Sequence, residues 1–218
     1  MSNDPQTNYI MSVDVGKLSD YTAVCILKSF RLSESSNERR HEVVHLERMR
    51  DLSYVEQVKR FAERFDELEH HARTAHQRAV VRLLVDRTGV GEAIVDTMKD
   101  VGLRPIGIFI HGGNGYTKDG RDIRVAKQEL VASAQISMQA RRLRISPDLP
   151  LAPELVKELK GFKFKLSPSG HMRFGNDVGV ERETEHDDLV LCVSMASWYI
   201  EKFRPADLAK LRRAAGLA

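Results

Sequence analysis

At 218 residues, with 42% hydrophobic and 30% charged side chains, the chain is long enough to bury a core and has the composition of a soluble protein. A net charge of +3 is too small to announce nucleic acid, so any basic surface has to be local. The polar start MSNDPQTN is no secretory signal, and the longest apolar run, 189–200, is too short to cross a bilayer. With Cys25 and Cys192 both inside apolar runs, the expectation is a soluble, membrane-free protein of a reducing compartment.

Residues 9–16, YIMSVDVG, read as a short buried strand that ends on Asp14. After the turn GKLSD, residues 21–30 return antiparallel as a second strand. A carboxylate at the end of a central strand is costly unless paired or metal-bound, which suggests a nucleotidyl-transferase type of site. The alternative is that Asp14 only caps a turn. Residues 42–49 alternate as a third strand near the sheet edge. A helix follows from Ser53, its N-cap, with Glu56 three residues on and Val55, Val58, Phe61, Phe65 and Leu68 facing inward.

Residues 79–86, AVVRLLVD, form another apolar strand that also ends in an acid, Asp86. RTGVG then turns into a helix, and 103–110 forms the next strand, so these two strands should run parallel. The glycine-rich 111–122 reads as a flexible loop, and a helix is expected from about 122 to 139. A short strand at 143–145 and a helix at 154–160 come next. The runs 162–166 and 171–174 flank Ser-Pro-Ser-Gly as a hairpin, and 184–203 is a long buried helix. The whole chain reads as one domain with its core from about 9 to 203 and a basic tail at 204–218.

Asp14, Asp86 and Asp188 stand out by position: two end neighbouring strands and one opens the buried helix. Strand ends on one edge of an α/β sheet are where ligands bind. Clustered carboxylates repel, and oxygen ligands favour Mg²⁺ or Mn²⁺ over zinc. Two ions about 4 Å apart would suit an in-line phosphoryl displacement.

The order of strand-Asp14, TGVG after Asp86, and HDDLV opening the last helix resembles the nuclease domain of phage large terminase subunits. VDVGKLSDYTAV, LLVDRTGVG, AKQELVASAQ, LRI, LVKELKGF and HDDLVLCVSMASW carry the resemblance, over about 10–198. It implies a ribonuclease H-like α/β fold, a mixed central sheet flanked by helices, here with an extra β-hairpin. It also implies a metal-dependent endonuclease that cuts concatemeric double-stranded phage DNA during packaging, with Mg²⁺ or Mn²⁺, two ions expected. The acidic triad falls on Asp14, Asp86 and Asp188, and Asp20 matches a further family acid. Implied partners are DNA, a terminase ATPase region, the small terminase subunit and the portal, in the cytoplasm of an infected bacterium. The chain has no G-x-x-x-x-G-K-[ST] phosphate loop, so it resembles the nuclease domain without the motor.

Lys157, Lys160, Lys163, Lys165 and Arg173 form a basic stretch suited to phosphate contact, or else an ordinary solvated face. Arg121, Arg124 and Lys127 are a second candidate DNA surface. His186 is either a metal neighbour or a buried hydrogen-bonding residue, and Trp198 is core. Thr184 as helix N-cap would make Asp187 a capping residue and leave Asp188 as the ligand, with Asp187 a secondary candidate. Two rival functions are a non-catalytic DNA-binding or assembly module of the same fold and an actin-like ATP-binding domain, which would need a second glycine-rich phosphate turn.

Overall fold

The structure, a computed structural model, describes residues 7–17, 20–32, 38–75, 79–89, 91–161, 163–166, 172–175 and 186–203. β1 (Thr7–Asp14), β2 (Thr22–Arg31) and β3 (Arg39–Met49) form an antiparallel meander, as the hairpin reading expects. α1 (Tyr54–Ala75) follows, then β4 (Val80–Asp86), α2 (Gly91–Asp100) and β5 (Ile106–His111). β4 pairs parallel with both β1 and β5. After β6 (Tyr116–Asp119) and β7 (Asp122–Ala126) come α3 (Lys127–Gln139), β8 (Leu143–Ile145) and α4 (Ala152–Gly161). β9 (Lys163–Leu166) and β10 (Met172–Gly175) make a separate antiparallel pair, and α5 (Asp188–Lys202) closes the described fold. The main sheet has the order β6-β7-β5-β4-β1-β2-β3-β8.

Side-chain alternation gives the sheet two apolar faces. Tyr9, Met11, Val13, Leu83 and Val85 pack with α1 and α2. Ile10, Ala23, Cys25, Leu46 and Leu84 pack with α3, α4 and α5. Counting on by twos from Ile10 and Leu84, Asp14 and Asp86 belong to the α5 face. α5 is buried throughout Leu189–Ile200, with Trp198 1% exposed. Each such buried aliphatic side chain contributes roughly 1.5–3 kcal/mol, so this helix is firmly seated against the sheet.

Several expectations need correction. The glycine-rich segment is no open loop: β6 forms within it and pairs with β7. Tyr116 of β6 packs edge-on against Trp198 at 5.3 Å, which explains why a polar, glycine-rich stretch holds a strand. α3 consequently begins at Lys127, not near 122. α5 begins at Asp188, and Thr184 lies outside the described residues, as does the basic tail. Val55 is 69% exposed, because α1 turns Val58, Phe61 and Leu68 to the sheet instead. Ser53 and Glu56 do form the expected reciprocal cap, Glu56 N–H to Ser53 Oγ at 3.3 Å and Ser53 N–H to Glu56 Oε2 at 2.9 Å.

Gly16 fixes the turn after Asp14. A Cβ there would run into the carbonyl of Tyr21, and the Gly16 N–H donates to Thr22 Oγ1 at 3.0 Å. That hydroxyl in turn donates to the buried Gln57 of α1 at 3.0 Å. Gly16→Ala must move backbone against backbone, and a loss of about 2–3 kcal/mol is expected from a melting curve.

Candidate metal centre

Register brings the acids together. Val13 of β1 pairs with Val85 of β4, so Asp14 and Asp86 are the next residues on adjacent parallel strands. Across the other side, Asp14 pairs with Ala23 and Ala23 with Arg48 of β3. One lateral row on the α5 face therefore reads Arg48, Ala23, Asp14, Asp86, with the smallest side chain in the middle. α5 sits over this row. Ser12 Oγ donates to the Cys192 carbonyl at 2.7 Å and Cys192 Sγ to the Ala23 carbonyl at 3.2 Å, so the helix is bonded to the strands that carry Asp14 and its neighbour. Its first residue is Asp188.

The electrostatics show the crowding. Burial first, then Asp86, Asp188 and Asp187, pushes the Asp14 carboxyl well above the usual range, with Lys127 opposing. Burial raises Asp86 as well, against hydrogen bonds from Thr88, whose N–H donates to Asp86 Oδ1 at 2.7 Å, and against Lys127. Asp188 is raised by burial, opposed by Arg48 and His186 and helped by Asp187 and Asp20. Asp20 itself is exposed in the β1–β2 turn.

Asp187 is the N-cap position of α5 but makes no side-chain capping bond. Its Oδ2 instead accepts from Lys127 Nζ at 2.9 Å. This is an ion pair with α3, and the expected reach back to Thr184 lies outside the described residues. Lys127, expected on a DNA surface, has its ammonium among the carboxylates, because α3 starts where β7 ends at the same sheet edge. His186 is exposed, not buried: its ring meets Tyr21 edge-on at 4.9 Å and its Nδ1 is 3.8 Å from Asp188 Oδ2.

Glu158 and Arg48 were not singled out by the sequence. Glu158 Oε2 accepts from the N–H groups of Leu189 and Val190, both at 3.1 Å, and Oε1 accepts from Arg48. Burial pushes the Glu158 carboxyl up to about 7, against the Val190 N–H and Arg48. The available signal was periodicity: Ala152, Leu155 and Glu158 share the buried face of α4, and Arg48 alternates with Leu46.

The other expected DNA contacts lie elsewhere. Lys160 is exposed in the last turn of α4, and β9–β10 pairs Lys165 with Arg173 and Lys163 with Gly175. Arg124 stacks over Phe109 at 4.8 Å, on the sheet face opposite Asp86.

The donor set is all carboxylate oxygen, which suits a hard divalent cation. Asp188 Oδ2 is buried and among the described residues accepts no hydrogen bond, leaving a lone-pair site open. Among the described residues, no three carboxylate, imidazole or thiolate groups converge closely enough to hold an ion as they stand. The chemistry of the donors fits a divalent metal.

Fold and site together define a ribonuclease H-like α/β protein with an acidic centre at the strand ends. No protein-family model and no curated protein matches the chain. Among solved structures it is similar to the human cytomegalovirus terminase nuclease domain in its Mn-soaked, inhibitor-bound form. The match has a TM-score of 0.54 and 12% identity, covering 94% of this chain and 87% of that one. The same domain, Mn-soaked, aligns with TM-score 0.46 and 14% identity over 92% and 87%. Thermus thermophilus RuvC aligns with TM-score 0.38 and 10% identity over 89% and 96%. Among the described residues no helix is long and apolar enough to cross a membrane.

Proposed function

We propose that this chain is a metal-dependent DNA endonuclease that cuts concatemeric double-stranded phage DNA during genome packaging. The observation that carries the reading is the register that sets Asp14 beside Asp86 under the first residue of α5, Asp188. Asp14, Asp86 and Asp188 would hold Mg²⁺ or Mn²⁺, two ions, with Asp20 and Asp187 in support. The metal supplies water activation and charge neutralisation for an in-line displacement at phosphorus. The chain's own part is to gather the carboxylates at a desolvated sheet edge. The similarity to a terminase nuclease domain supports the fold on which this chemistry would run. A terminase ATPase region, small subunit and portal are the partners this role requires, and the whole described chain would serve as the nuclease domain.

The position of the Lys127 ammonium among the carboxylates favours one alternative, a DNA-binding module of this fold that needs no metal. Incubating the chain with supercoiled plasmid and Mn²⁺ or Mg²⁺, beside a chelator control, separates the two. Nicking that needs the metal is expected; DNA binding without cleavage in either metal would favour the alternative.

The basic hairpin is proposed as a phosphate-contacting surface, because Lys163, Lys165 and Arg173 lie on two paired strands. Replacing Lys163 and Lys165 by Ala should weaken DNA binding and flatten the salt dependence by about 1–2 units of log–log slope. An unchanged slope in a salt titration would remove the hairpin from the DNA surface.

A further inference from the structure

The N-terminus of α5 is held in an unusual way. Its N-cap residue, Asp187, makes no capping bond, yet the N–H groups of Leu189 and Val190 are satisfied by Glu158 Oε2 from α4, each at 3.1 Å. The cap is thus supplied from 31 residues upstream of Leu189. The other oxygen of Glu158 accepts from Arg48 Nη2, and that same nitrogen lies 3.5 Å from Asp188 Oδ2. This is ion-pair range but longer than a good hydrogen bond. Arg48 is itself steadied from a further side, its guanidinium carbon 4.9 Å from the Tyr21 ring centre.

We infer that Arg48 and Glu158 are positioning residues that set the Asp188 carboxylate for a divalent ion, an inference that rests on the metal-site reading above. Glu158 fixes the helix end that carries Asp188. It also draws the guanidinium toward itself, so that Arg48 restrains Asp188 without closing Oδ2. A buried ion pair contributes little net stability compared with apolar packing of the same volume, so fold maintenance alone gives the sequence weak reason to bury one here. Planarity matters too: a lysine could meet Glu158 or Asp188 as a point charge but not bridge both in a fixed fork.

Three explanations of the pair predict different signs. If it acts only through charge, Arg48→Met removes a cation beside the carboxylates and should tighten Mn²⁺ binding, while Glu158→Gln should weaken it. If it serves only the fold, both variants should melt earlier with Mn²⁺ affinity unchanged. Positioning predicts that both weaken Mn²⁺ binding by about tenfold to a hundredfold, the range seen when residues that orient metal ligands are removed. It also predicts that the double variant is no weaker than the weaker single one, because the two residues act as a unit.

The experiment is a Mn²⁺ titration of wild type, Arg48→Met, Glu158→Gln, the double variant and Asp188→Asn, followed by electron paramagnetic resonance of the free ion. Each protein's melting temperature is measured in chelator. Arg48→Lys, which keeps the charge and disturbs the fold least, is added in case Arg48→Met fails to fold, and it too should bind Mn²⁺ at least several-fold more weakly. Tighter binding by Arg48→Met, or unchanged affinity in folded Glu158→Gln and Arg48→Lys, would overturn the positioning role and leave the metal site standing. A wild type that binds no Mn²⁺, or an Asp188→Asn variant that binds it equally well, would overturn the metal-site reading and this inference with it.

Discussion

Asp14→Asn is expected to lower Mn²⁺-dependent plasmid nicking by at least about a hundredfold while raising the melting temperature of the metal-free protein. Loss of function and gain of stability have one cause. Burial and the carboxylates of Asp86, Asp188 and Asp187 all disfavour an ionised Asp14, and Lys127 only partly offsets them. The folded state therefore holds a proton on this group more tightly than the unfolded chain does. With the folded pKa raised, stability falls as pH climbs from the ordinary carboxylate range through the raised value. Asp86 and Asp188 are raised in the same direction, so their contributions have the same sign. Glu47 has the opposite sign but a different window: hydrogen bonding from His45, with Arg60 and Arg64, lowers it to about 2, so its contribution is lost only in strong acid.

Scanning calorimetry in chelator tests this. Wild type should lose melting temperature relative to Asp14→Asn as pH climbs above the ordinary carboxylate range, and added Mn²⁺ should reverse the order at the upper end. A variant that melts below wild type at every pH would mean that the acids are not in electrostatic conflict.

The second large effect separates the two neighbouring acids at the start of α5. Asp188→Asn should abolish nicking and leave the fold intact, since among the described residues its Oδ2 accepts no hydrogen bond that an amide would lose. Asp187→Asn should keep activity within about tenfold of wild type and cost on the order of 1 kcal/mol, through its ion pair with Lys127, both side chains being about one quarter exposed. Nicking rates and melting temperatures of the two variants in parallel decide the matter. A folded, inactive Asp187→Asn beside an active Asp188→Asn would exchange their roles.

Much of this arrangement could be read from the residues. The strand ends at Asp14 and Asp86 were legible because a short apolar run closed by an acid is a local pattern. The capping box at Ser53 and Glu56 and the strand at 143–145 were legible for the same reason. The start of α5 was not. Thr184 and Asp187 match a capping arrangement by spacing, but the N–H groups that a cap would satisfy are taken by Glu158, a partner that spacing cannot point to. The ion pair of Lys127 with Asp187 was not legible either, because it depends on where β7 ends relative to α5. Glu158 was not singled out, although its place on the buried face of α4 set it apart. What escaped the sequence is pairing between elements distant along the chain.

The acidic centre draws its three principal residues from positions 14, 86 and 188, and Asp188 joins the two strand-end acids only when α5 docks. Chain synthesis at roughly 5–20 residues per second delivers β1 and β4 well before that helix. Until it arrives, the strands hold two acids at an open sheet edge, without Asp188 or Asp187. Non-local closure of this kind is slow compared with hairpin formation, so assembly of the centre should be among the last events in folding. The proposed capacity to cut DNA would thereby be acquired only once the rest of the structure is complete.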